Sequence, residues 1–145
     1  MPRPKRSCRT KSWSDFVGRI SAVVTLVDSS SWVHYLRRRG DAVVAERVRV
    51  LLESGEAAWC PPVRLELWNG VGDEGDRRIL RDFERTLPEL PVTEDVWTTA
   101  CALAERCRRA GKTAPAIDVL IAACARHHGV DLDHADSHFE ILMTL

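Results

Sequence analysis

Short apolar runs alternate with helical segments along most of this chain, and that alternation leaves few folds open. Val23 to Val27 reads as a buried strand, followed by helical patterns over Ser31 to Arg39 and Asp41 to Glu53. Ala57 to Cys60 reads as a second strand, cut off by Pro61-Pro62, a pair that suits the first turn of a helix. Helical patterns return over Val63 to Trp68, ending near Asn69-Gly70, and over Asp76 to Leu87 before Pro88. Leu90 to Val92 is expected as a third strand. Thr93, with Glu94 and Asp95 behind it, opens a helix that runs through Ala100, Leu103, Ala104 and Cys107 to a stop at Gly111. Ala116 to His128 forms another helix ended by Gly129, Val130 to Asp133 alternates like a strand, and Phe139 to Leu142 closes the chain. Strands separated by helices of ten or more residues point to an α/β fold with βαβ units and a mainly parallel sheet.

The length of 145 residues fits one domain able to bury a two- or three-layer core. Basic and acidic side chains balance at 21 each, but unevenly. Residues 1–22 carry six basic side chains against Asp15 alone, which leaves residues 23–145 with a net charge of −5. The expected organisation is therefore a basic, flexible N-terminal extension over 1–22 and an acidic globular domain over 23–145. No run has signal-peptide character or the length to span a bilayer, so a cytoplasmic protein with no membrane contact is expected. Cys8, Cys60, Cys101, Cys107 and Cys124 are odd in number and lack zinc spacing, and they read as free thiols. Cys101 and Cys124 fall on apolar helix faces, where packing is the expected role.

Four acids stand at junctions between these elements: Asp28 directly after the first strand, Glu66 in Val63-Arg64-Leu65-Glu66-Leu67, Asp118 just inside a helix start, and Asp136 after the last strand. In a parallel sheet, strand ends far apart in sequence meet along one edge, where ligands collect. Carboxylates held together repel one another unless protons or a cation neutralise them, and a hard divalent ion does this with carboxylate and water ligands. Mg²⁺ or Mn²⁺ can also polarise a phosphodiester, so the pattern predicts metal-dependent phosphodiester hydrolysis.

The ordered set Val-Asp-Ser-Ser, Val-x-x-Glu-Leu, Asp-x-Leu-Ile-Ala-Ala and Asp-x-x-Phe, spanning Val23 to Leu142, resembles the PIN-domain ribonucleases, specifically VapC-type toxins of toxin–antitoxin pairs. The resemblance implies a three-layer α/β/α sandwich. It implies one or two Mg²⁺ or Mn²⁺ ions held by Asp28, Glu66, Asp118 and Asp136, with Ser30 hydrogen-bonding inside the cluster. It further implies an RNA substrate cut to a 5′-phosphate and a 3′-hydroxyl, a small VapB-like antitoxin that covers the site, and a homodimeric toxin.

Two positions depart from the family pattern Thr-x-Asp-x-Asp-Phe: His134 stands for the threonine and His138 for the second aspartate. With His138 the site has one fewer possible anion, which points either to a weaker second metal position or to a phosphate contact by the protonated ring. The alternative function is accordingly a catalytically impaired PIN-like domain that binds RNA or a protein without cleavage.

Each singled-out residue also has a plainer role. Asp28 can cap the following helix, as can Ser29 or Ser30, and Asp118 can serve the helix dipole. Asp131 and Asp133 compete with Asp136 as the last acid of the set. Arg37, Arg38 and Arg39 read as a solvated helix end or as an RNA-phosphate contact close to the acidic edge. Trp32, Trp59, Trp68 and Trp97 read as core or dimer surface, and adjacent His127 and His128 point to different faces. A haloacid-dehalogenase site needs an acid where Ser30 stands. A receiver domain needs a pair of acids before the phosphorylated aspartate and a lysine late in the chain, and the only lysines are Lys5, Lys11 and Lys112.

Overall fold

The computed structural model describes residues 23–145, so the expected basic extension over 1–22 lies outside the described residues. In chain order the elements are β1 (Thr25–Val27), α1 (Ser29–Leu36), α2 (Ala42–Glu53), β2 (Ala57–Ala58), α3 (Pro61–Asn69), α4 (Glu74–Thr86), α5 (Glu94–Arg109), α6 (Ala116–His128), β3 (Asp131–Asp133) and α7 (Ser137–Leu142). The strands form a parallel sheet in the order β2-β1-β3, with Thr25 opposite both Ala57 and Asp131.

Residues 57–60 are buried in succession, and so are Leu26 and Val27. Successive strand residues point to opposite faces, so both faces of the sheet are covered by helices, the α/β/α sandwich that the resemblance implied. Trp32 and Trp59 are buried and converge on Phe83, with ring centroids 4.8 and 6.0 Å from it. Helix α6 is buried along residues 119–125. The small side chains Ala122, Ala123 and Ala125 let it lie close to the sheet while it packs against α5 on one side and α3 on another.

Topology fixes where the acids go. Helix α1 leaves the C-terminal end of β1 and α3 leaves that of β2, so both begin at the same sheet edge. Helix α6 feeds the N-terminal end of β3, which places its own N-terminus back at that edge. Gly129 makes the reversal possible: it adopts φ +64°, its N–H bonds back to the Arg126 carbonyl, and the Val130 N–H reaches the Ala125 carbonyl.

Several expectations shift on the structure. Leu90–Val92 is not a strand; the sheet extends beyond β2 only by a single parallel bridge between Trp59 and Glu89, in which the Trp59 N–H reaches the Pro88 carbonyl and the Leu90 N–H the Trp59 carbonyl, and Pro91 has no N–H to continue it. The expected helices at Ser31 and Val63 begin earlier, at Ser29 and Pro61, with the two prolines occupying the first turn of α3. Cys101 is exposed rather than packed, whereas Cys60, Cys107 and Cys124 are buried free thiols. Trp97 is a surface residue and Trp68 donates its indole N–H to Glu84 at 2.7 Å. No helix among the described residues is long and apolar enough to cross a membrane.

A Cβ at Gly129 would meet no atom within 4 Å, so Gly129→Ala changes only the backbone cost of the left-handed conformation. The substitution should lower unfolding stability by about 1 kcal/mol. Urea titration checks this as a lower midpoint with an unchanged slope.

Candidate metal centre

Three consecutive hydroxyls at the start of α1 each take a different carboxylate. Ser29 donates to Glu66 Oε2 at 2.7 Å, Ser30 to Asp28 Oδ2 at 2.6 Å, and Ser31 to Asp133 Oδ1 at 2.6 Å. Successive helical side chains fan out by about 100°. One helix end therefore holds acids from three separate parts of the chain.

Asp28 is the most buried of them, 3% exposed, and is also the N-cap of α1, accepting the Ser30 N–H at 2.9 Å. The same side chain thus caps the helix and feels the charge of the acidic group. Oδ2 carries both Ser30 contacts, while Oδ1 is buried without a hydrogen-bond partner among the described residues. The Ser30 hydroxyl in turn accepts the Ala135 N–H at 3.0 Å, which ties the loop after β3 to the same point.

Asp118 lies in the first turn of α6 and is 9% exposed. Asp136 caps α7 through the His138 N–H at 3.0 Å. Asp28, Asp118 and Asp136 thus all stand at helix starts, where the partial positive charge of the peptide dipoles favours anions. Between the last two sits His138: its Nδ1 is 3.1 Å from Asp118 Oδ2 and 3.1 Å from Asp136 Oδ1.

The electrostatics are those of crowded acids. Burial pushes the Asp28 carboxyl above its ordinary range, opposed by the Ser30 bonds and aided by the charge of Asp136. Burial raises Glu66 as well, against the Ser29 hydroxyl and with repulsion from Asp28, Asp118 and Asp136. Asp118 rises through burial and through the charges of Asp28 and Asp136, and His138 works the other way. The four predicted acids therefore feel one another's charge. Among the described residues, one ligand atom each from Asp118, Asp136 and His138 lies within 4.8 Å of the other two, and that group could hold a divalent cation; Asp28 and Glu66 are near enough to feel its charge but are not part of it.

Other expected participants are placed differently. His134 packs its ring on Phe139, 5.2 Å between centroids, and its carbonyl accepts from Arg47, so it shapes the loop rather than joining the acids. Asp133, a competitor to Asp136, is committed to Ser31 and to an ion pair with Arg47 at 3.0 Å; Asp131 is exposed. Arg37, Arg38 and Arg39 are exposed and stand at the far end of α1, an eight-residue helix about 12 Å long, not beside the acids. Gly40 closes the turn after them, since any Cβ there would collide with the His34 carbonyl. Along the sequence Ser29 is only a candidate cap and Ser31 only the start of a helical pattern. The signal for both was the unbroken hydroxyl run directly behind a strand-end acid.

A family model described as PIN domain matches residues 25–142. The VapC11 ribonuclease of Mycobacterium tuberculosis is 36% identical over 121 residues, covering 81% of this chain and 90% of that protein. Among solved structures, VapBC-1 of nontypeable Haemophilus influenzae superposes with a TM-score of 0.66 at 17% identity, covering 84% of this chain and 93% of that one. VapC20 of Mycobacterium tuberculosis, described as a sarcin-ricin loop cleaving toxin, superposes with a TM-score of 0.62 at 20% identity, covering 81% of this chain and 93% of that one.

A raised folded value means that the fold favours the protonated acid, so the stability involved is present at acid pH and declines as pH rises through that value. Asp28→Asn removes the charge and keeps an oxygen for Ser30. In metal-free buffer its melting temperature should match wild type at acid pH and exceed it by a few degrees at neutral pH. Paired thermal melts across pH check the sign.

Proposed function

We propose that this chain, which belongs to the PIN-domain family, is a Mg²⁺- or Mn²⁺-dependent endoribonuclease acting as the toxin of a toxin–antitoxin pair. The observation that carries the reading is Asp28 Oδ1, buried and unpartnered within a group of four carboxylates at one sheet edge. Asp28, Glu66, Asp118 and Asp136 would hold one or two ions. A bound ion supplies charge neutralisation at the phosphodiester and makes water a better nucleophile.

The protein's own residues prepare that site. Ser30 occupies Asp28 Oδ2 twice and so leaves Oδ1 as the oxygen free to act as a donor. Ser29 fixes one oxygen of Glu66 and thereby its rotamer. Holding side chains in place before substrate arrives lowers the entropy cost of reaching the reactive arrangement. Three helix starts supply partial positive charge in a region otherwise repellent to a phosphate. Arg37, Arg38 and Arg39 have no side-chain partners among the described residues, and an RNA strand that reaches both them and the acids must run along α1.

The toxin role draws support from the relatives. VapC11 is named a ribonuclease, VapC20 a loop-cleaving toxin, and the Haemophilus protein was solved as a VapBC complex. A small antitoxin that covers the acidic edge is the partner this reading expects.

Purified protein incubated with pooled cellular RNA and Mn²⁺ should cut at defined sites, leaving 5′-phosphate ends. EDTA should abolish the cutting, and Asp28→Asn or Asp118→Asn should lower it at least about a hundredfold, the scale of losing several kcal/mol of charge stabilisation. Fragment-end sequencing reads the result. No cutting, together with no metal-induced rise in melting temperature, would favour the impaired, binding-only alternative.

A further inference from the structure

We infer that His138 is itself a ligand of the bound cation, through Nδ1, and that it biases the site toward nitrogen-accepting transition ions such as Mn²⁺ and away from Mg²⁺. The inference rests on reading the four acids as a cation site and adds a fifth donor of different chemistry.

One ligand atom each from Asp118, Asp136 and His138 lies within 4.8 Å of the other two, and Nδ1 is 3.1 Å from each carboxylate oxygen. Neighbouring donors around a six-coordinate ion with bonds of about 2.1 Å are about 3.0 Å apart. The spacing thus matches an edge of such a shell on both sides of the ring.

His138 is also held in this place. Its N–H is engaged by Asp136, and the next residue, Phe139, is fully buried, as is Leu142 one turn on. The short helix α7 is therefore locked to the core, and the side chain of its second residue is carried to the acids. With the ring neutral and its proton on Nε2, Nδ1 offers a lone pair; without an ion and with the proton on Nδ1, the same atom can donate to Asp118 Oδ2.

Replacing an anionic oxygen donor by a neutral imidazole removes one negative charge and one hard ligand. Mg²⁺ binds through oxygen and releases its water reluctantly, so it loses most from that exchange. Mn²⁺ also favours oxygen but, as a first-row transition ion, gives up water for an imidazole more readily than Mg²⁺ does, and the later divalent ions take imidazole better still.

The test uses full-length protein grown with ¹⁵N-labelled or unlabelled histidine and loaded with Mn²⁺, studied by electron spin-echo envelope modulation. A histidine nitrogen coupling should be present, change with the label, vanish in His138→Asp and persist in His134→Gln. By competition titration, His138→Asp should lower the preference for Mn²⁺ over Mg²⁺ by about tenfold, the scale on which residues around a metal tune its affinity. Saturable Mn²⁺ binding without a histidine coupling in wild type, or with one that survives in His138→Asp, would overturn the ligand assignment and leave the acidic site standing. Absence of saturable Mn²⁺ binding would overturn both.

Discussion

Mutual repulsion among carboxylates at one sheet edge is the constraint around which this fold is arranged. Asp28, Glu66 and Asp118 are each pushed toward the protonated form first by burial and then by neighbouring acids, Asp136 acting on all three. Left alone, such a group would open the structure or neutralise itself. The chain counters it with hydroxyl donors from Ser29 and Ser30, with helix starts at Asp28, Asp118 and Asp136, and with the imidazole of His138. Those contacts hold the acids in place and leave Asp28 Oδ1 without a partner.

The parallel sheet makes the gathering possible. Acids separated by as many as 108 positions share an edge because every connection returns the chain to the same end of its strands. Helix α6 links the two requirements. Its fully buried middle anchors the core, and its first turn delivers Asp118 to the edge. A change that shifts α6 along its axis would therefore disturb packing and site together.

Much of this was legible in the sequence. Strand and helix alternation gave the fold class, and Gly129 and Pro61-Pro62 marked real boundaries, because their backbone chemistry is local. The four acids were legible because each stands at a junction that a parallel sheet brings to one edge. What stayed hidden was specific to the third dimension. Nothing local distinguishes Asp133, spent on Ser31 and Arg47, from Asp136. Nothing along the chain shows that the basic run at Arg37 to Arg39 points away along α1, or that pairing beside Trp59 stops after one bridge. His138 stood out as a departure from the family pattern, but only the fold shows its Nδ1 midway between two carboxylates.

The central claim, that these acids form one cation site built around Asp28, is tested most directly by a crystal structure of the Mn²⁺-loaded protein with the ion located by anomalous scattering. The account predicts a peak in direct contact with Asp28 Oδ1 and surrounded by Glu66, Asp118 and Asp136. Peaks confined to other surfaces, or none at saturating Mn²⁺, would contradict it.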